Sequence, residues 1–100
     1  MLKHIVMWRF KDSFEGKTKE EMMEQQRTDL LKLPEKIDWI RSMQIGKDIL
    51  HSEKSYDMAL VMDFDNMDDM VRYREFPDHV VISTRMKDYV TDRVVVDYEF

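Results

Sequence analysis

Three stretches of this chain alternate like β-strands yet carry apolar side chains on both faces, and this limits the fold more than any other feature. From Leu2 to Phe10, His4, Val6, Trp8 and Phe10 share one face, while Lys3, Ile5, Met7 and Arg9 share the other. From Tyr56 to Phe64, Tyr56, Met58, Leu60, Met62 and Phe64 oppose Asp57, Ala59, Val61 and Asp63. In the closing strand, Arg93 to Phe100, the run Val94-Val95-Val96 places apolar groups on both sides. Strands of this kind need cover above and below.

The intervening segments supply helices. Thr18-Lys19-Glu20-Glu21 is a capping box, in which the Thr18 hydroxyl accepts from an early backbone N–H and Glu21 reciprocates. The helix it starts carries Met22, Met23, Leu30 and Leu31 and ends near Leu33, because Pro34 disfavours helical backbone before it. Trp39 to Ile45 reads as a second strand, with Gly46 permitting a bend or bulge. Lys47 to Ser55 reads as a polar loop, and His51 within it as plain surface. Asn66 or Asp65 can cap a helix through Met67, Met70, Val71 and Tyr73. Pro77 divides this from a helical stretch over Asp78 to Tyr89, with Asp78 as its expected cap.

The order β-α-β-β-α-β predicts one ferredoxin-like α+β domain over residues 1–100, with a four-stranded antiparallel sheet and a broken second helix. These helices can cover one face of the sheet. The other face needs a partner, since a large bare apolar face is rare on a monomer. The expectation is a homodimer with sheets packed face to face.

Composition narrows the function. A net charge of −5 and scattered basic residues argue against nucleic acid and against anionic membrane as partners. No run approaches the roughly 20 apolar residues of a membrane helix, and the N-terminus lacks a signal peptide's apolar core. The absence of cysteine excludes disulfides and thiolate metal sites, and suits the cytoplasm. Ten methionines in mostly periodic positions read as core filling. There is no Ser in a Gly-rich elbow, and two glycines do not make a phosphate loop.

The remaining chemistry lies in His4, Tyr73 and His79. A neutral His4 in a partly apolar cavity could remove a proton alpha to a carbonyl, with Tyr73 hydrogen-bonding the enolate oxygen. Each residue also has a plain structural reading: a bonded core histidine, a packed tyrosine ring, and a histidine at a helix start. Metal binding by His4, His79 and a carboxylate, or by Asp57, Asp63 or Asp97, is a weaker reading without a recognisable ligand spacing. No cofactor and no metal are assigned.

The motifs themselves resemble a known family. They are Lys3-His4-Ile5-Val6, Leu33-Pro34, Ile45-Gly46-Lys47-Asp48, Ser55-Tyr56-Asp57-Met58-Ala59-Leu60, Tyr73-x-x-x-Pro77-x-His79 and Val94-Val95-Val96-Asp97-Tyr98. Together they resemble the stress-responsive α/β-barrel (Dabb) domain over nearly the whole chain. The resemblance implies a dimeric α/β barrel closed by two ferredoxin-like protomers. In a plant polyketide cyclase of that family, two histidines and a tyrosine line a cavity between sheet and helices. They correspond here to His4, His79 and Tyr73. Two further polar positions of the cyclase are replaced, by Met58 in the third strand and Gln26 in the first helix.

The resulting expectation is a small, largely apolar cavity walled by Trp8, Phe10, Met23 and Phe76, with His4, Tyr73 and His79 as polar contacts. A small apolar carbonyl or aromatic compound is the expected ligand. The alternatives are a cofactor-free acid–base enzyme of cyclase, isomerase or lyase type, and a non-enzymatic structural stress protein.

Overall fold

The computed structural model describes residues Met1–Phe100. In chain order it comprises β1 (Leu2–Phe10), β2 (Ser13–Phe14), β3 (Lys17–Thr18), α1 (Lys19–Leu31), β4 (Ser42–Lys47), β5 (Met58–Phe64), α2 (Met67–Glu75), α3 (Pro77–Tyr89) and β6 (Val90–Glu99), with a 3₁₀ turn at Leu33–Glu35. The main sheet runs β4-β5-β1-β6 and is antiparallel throughout. This is the ferredoxin-like arrangement, with its second helical segment broken at Pro77.

The helix signals operate as local chemistry dictates. Thr18 Oγ1 accepts from the Glu21 N–H at 3.1 Å, and Glu21 Oε1 accepts from the Thr18 N–H at 3.0 Å. Leu30 is buried, but Leu31 is exposed, so the core-facing stripe of α1 is Met22, Met23, Gln26 and Leu30. Asn66, not Asp65, caps α2 by accepting from the Asp69 N–H at 2.9 Å. Asp65 instead takes the Arg41 guanidinium through two bonds.

Several expectations are corrected. Asp78 does not cap α3: that helix starts one residue earlier, with Pro77 in its first position and Phe76 before it, and Asp78 pairs with Lys36 at 2.8 Å. Pro suits this place because its missing N–H would have had no partner there. The second strand is displaced from Trp39–Ile45 to Ser42–Lys47, and Gly46 sits inside it opposite Ala59 with no slip in register. The third strand begins at Met58 rather than Tyr56, and the last spans Val90–Glu99 rather than 93–100. The hairpin of β2 and β3 is an addition to the six-element order that the sequence predicts. Its two turn residues, Glu15 and Gly16, have φ of 46° and 82°, the paired positive values of a tight hairpin turn.

The sheet has two unlike faces. Leu2, Val6, Trp8 and Phe10 of β1, and Met58, Leu60, Met62 and Phe64 of β5, are buried under the three helices. On the opposite face, Ile5, Met7, Val61, Val94, Val96 and Tyr98 have no helix above them, and Met7, Val94, Val96 and Tyr98 are 38–51% exposed. Six of the ten methionines are buried, in keeping with a core role.

Candidate ligand cavity

The cavity lies between the sheet and the helices and has a volume of about 230 Å³. Its apolar wall comes from Val6, Trp8 and Leu60 of the sheet, Leu30 of α1, and Ile82 and Met86 of α3, with Val90 at the start of β6. His4, Tyr73 and His79 all line it, so the fold brings together three residues from β1, α2 and α3. Arg74, Ser83, Lys87 and Arg93 complete the lining.

His4 owes its setting to the pairing of the two chain ends. β1 and β6 are in register with His4 opposite Asp97, and His4 Nδ1 stands 2.5 Å from Asp97 Oδ1. The carboxylate accepts, so Nδ1 carries the proton and Nε2 is left as the lone-pair nitrogen. Within the protein nothing else bonds the ring, which is 7% exposed.

Tyr73 is held on the buried face of α2, its ring 5.4 Å from that of Phe64 and 4.4 Å from that of His79. Its hydroxyl is buried and has no hydrogen-bond partner in the protein. Burial pushes this hydroxyl well above the usual phenol range, which keeps it protonated as a donor. An orphaned buried hydroxyl costs roughly 1–3 kcal/mol, so one in a residue that lines a cavity would gain from a partner there.

His79 lies in the first turn of α3, where the break at Pro77 turns the chain back toward α2. Its Nδ1 donates to the Arg74 carbonyl at 2.9 Å, which again leaves Nε2 as the acceptor. Burial lowers its pKa, against the raising effect of that hydrogen bond, and the positive charges of Arg93 and Arg74 lower it further, as protonation of His4 would. The ring is thereby kept neutral near pH 7.

Of the expected walls, only Trp8 lies on the cavity. Phe10 is buried beyond the point where β1 and β6 slip register between Arg9 and Phe10, and its N–H donates to Asp57 at 2.7 Å. Met23 is packed in the core under α1. Phe76 packs edge-on to Trp39 at 6.1 Å. Periodicity puts Phe10 and Met23 on the inner side, and Phe76 sits at the break between α2 and α3, but the cavity reaches none of the three.

Gln26 is part of a buried tie rather than the cavity wall. Its amide donates to the Ile82 carbonyl at 3.0 Å and accepts from Arg85 at 2.5 Å, while Arg85 also donates to Asp29 at 2.6 Å. Met58 is fully packed core. The carboxylates considered for a metal are engaged separately: Asp57 by the Phe10 N–H and Lys19, Asp63 by Ser42 and Lys3, Asp97 by His4. No group of three or more His, Asp or Glu side chains is clustered as a metal site. His51 sits on an exposed loop away from the cavity.

Sequence reading missed Arg74, Ser83, Lys87 and Arg93 in the cavity lining, and Asp97 outside it as the partner of His4. Alternation along the last strand places Asp97 and Arg93 on one face, but only the register with β1 shows which face that is.

Residues 2–100 match the family model described as the Stress responsive A/B Barrel Domain. No curated protein matches the chain. Among solved structures, it is similar to a dimeric protein of unknown function with a ferredoxin-like fold from Bacteroides fragilis. The TM-score is 0.87 and the identity 31%, over 99% of this chain and 95% of that one. A dimeric ferredoxin-like protein of unknown function from Thermobifida fusca gives a TM-score of 0.83 at 29% identity, over 99% and 90% of the two chains. The hydroxynitrile lyase of Passiflora edulis shares the fold, with a TM-score of 0.80 at 17% identity over 97% and 90%. No helix of the chain is long and apolar enough to cross a membrane.

Proposed function

The chain belongs to the stress responsive A/B barrel (Dabb) family, and on that premise we propose that it is a homodimer whose protomers each bind a small, largely apolar carbonyl compound and move a proton on it. The observation that carries this reading is that Tyr73, whose buried hydroxyl has no partner in the protein, lines one cavity with His4, the ring that Asp97 bonds from outside it. A tyrosine that only packs commonly has its hydroxyl bonded to a neighbouring protein group.

In this reading a ligand carbonyl oxygen accepts the Tyr73 O–H. His4 Nε2 takes a proton from the carbon alpha to that carbonyl, and the negative charge that develops on oxygen stays against the Tyr73 donor. Asp97 holds the imidazole in the tautomer that leaves Nε2 bare, and it stabilises the imidazolium once formed. The neutral His79 offers a second acceptor for a ligand hydroxyl. A hydroxynitrile lyase on the same fold makes such chemistry compatible with the scaffold, by analogy of fold alone.

The homodimer rests on the uncovered face. Ile5, Met7, Val61, Val94, Val96 and Tyr98 form one apolar surface, and similar structures are described as dimeric. Packing two such sheets together would bury about 1,000 Å² or more, as a stable interface requires.

The test is thermal unfolding against a panel of small aromatic and acyclic ketones. A ligand at about 100 times its Kd should stabilise the protein by about 2.7 kcal/mol. This stabilisation should be lost in Tyr73→Phe and His4→Ala. No shift from any compound, or equal shifts in the variants, would overturn the reading and favour a structural role.

A further inference from the structure

The cavity has a charge pattern that apolar binding leaves unexplained. Three cations from three elements line it, Arg74 of α2, Lys87 of α3 and Arg93 of β6, and no carboxylate does. None of the three has a salt-bridge or hydrogen-bond partner for its side chain, although the chain carries a net charge of −5. Several cations elsewhere are paired: Lys36, Arg41 and Lys47 each hold a carboxylate at 2.8 Å or less. Unpaired cations converging on one opening of an acidic protein make a local reversal of potential.

A second observation is independent of charge. Tyr73 lines the same cavity, and its hydroxyl, buried behind that wall, has no partner in the protein, so a ligand oxygen that reached it would satisfy it. At about 230 Å³ the space equals that of roughly eight waters at ~30 Å³ each, below the range of drug-sized sites. It suits a short apolar body whose charged end remains outside among the exposed cations.

Resting on the reading of this cavity as a ligand site, we infer that its ligand is a small apolar monocarboxylate, oriented with the carboxylate against Arg74, Lys87 and Arg93 and its body directed toward Trp8 and Tyr73. The two arginines offer planar forks that match a carboxylate, and Lys87 adds a point charge. The body then enters past Val90 and Met86, and any carbonyl along it can reach the Tyr73 hydroxyl. The rim cations act as selectors and orienting groups, and need take no part in proton transfer.

The test is calorimetric titration of the unmodified protein with octanoate, octanamide and octyl phosphate at low salt. Three mouth-exposed ion pairs, each worth a few-fold at most, should give octanoate about a tenfold preference over octanamide. That preference should shrink as salt rises. Arg93→Gln, Arg74→Gln and Lys87→Gln alter exposed side chains, and each should cut octanoate affinity roughly two- to fivefold while leaving octanamide unchanged. Octanamide binding as tightly as octanoate would overturn this inference and leave the cavity reading standing. Octyl phosphate binding more tightly than octanoate would overturn the carboxylate assignment. Binding of none of the three would overturn both.

Discussion

The Nδ1 atom of His4 lies 2.5 Å from Oδ1 of Asp97, and 93 positions of sequence separate the two residues. Their meeting follows from one strand pairing, in which the first and last strands run antiparallel with His4 directly opposite Asp97. The contact makes an ordinary strand histidine into an oriented one, with its free nitrogen available to the cavity.

Replacing Asp97 by Asn should leave the fold intact but disturb that orientation, because an amide can present an N–H where the carboxylate only accepts. Nitrogen-resolved NMR of the imidazole should show His4 protonated on Nδ1 in the unmodified protein and a mixture or reversal in Asp97→Asn. Turnover of any verified substrate should fall by roughly 10²-fold. An unchanged tautomer and rate would show that Asp97 does not set the ring.

Tyr73→Phe removes the orphaned hydroxyl while keeping the ring against Phe64 and His79. The ligand-free protein should be as stable as before or up to about 1 kcal/mol more stable, since a buried polar group without a partner is deleted. Ligand affinity should fall by roughly fivefold or more. Denaturant titrations that find the variant destabilised by more than about 1 kcal/mol would mean that the hydroxyl is bonded in the native state.

How far the sequence reached depended on whether each signal was local. The capping box at Thr18 and Glu21, the break at Pro77 and the alternation of Met58 to Phe64 all act within a few residues, and each could be read directly. By contrast, α1 ends at Leu31, and Pro34 sits inside a following 3₁₀ turn that includes Leu33. Asp78 failed as a cap because Pro77 already occupied the first helical position and Lys36, 42 positions away, took the carboxylate. Gly46 permits a bulge without requiring one. The assignment of Phe10, Met23 and Phe76 to the cavity failed for a different reason. Periodicity identifies an inward face, but which part of that face is packed and which is hollow depends on the docking of α3. The Asp97 contact and the cluster of Arg74, Lys87 and Arg93 exist only once strand register and helix placement are known.

His79 links the cavity to pH. Burial and nearby positive charges hold its pKa below the ordinary value of 6.5. The unfolded chain therefore takes up the proton more readily, and the stability contributed by neutral His79 is complete above 6.5 and lost as pH falls through the lowered folded value. Unfolding at about pH 7.5 and about pH 5.5 should show lower stability at the acidic point, with a smaller loss in His79→Gln. An equal loss in both proteins would place the titrating group elsewhere.

The two faces of the sheet give a paired prediction. Val61 points to the uncovered face, opposite Ile5, whereas Val95 lies opposite Val6 on the helix side. Val61→Lys should weaken the dimer by about 3 kcal/mol or more, roughly 10²-fold in Kd, because it buries an unpaired charge. Val95→Lys, on the other side of its strand, should leave the dimer intact. Sedimentation of both variants beside the unmodified protein distinguishes the faces. A monomeric unmodified protein at micromolar concentration would contradict the homodimer itself.

The most direct measurement is a crystal structure of the protein grown with a compound that raises its thermal stability. The account predicts ligand density between Trp8 and α3, with a ligand oxygen about 2.5–3.0 Å from the Tyr73 hydroxyl and His4 Nε2 facing the ligand. An empty cavity with the compound bound elsewhere, or a Tyr73 hydroxyl bonded to the protein with the compound out of its reach, would contradict it.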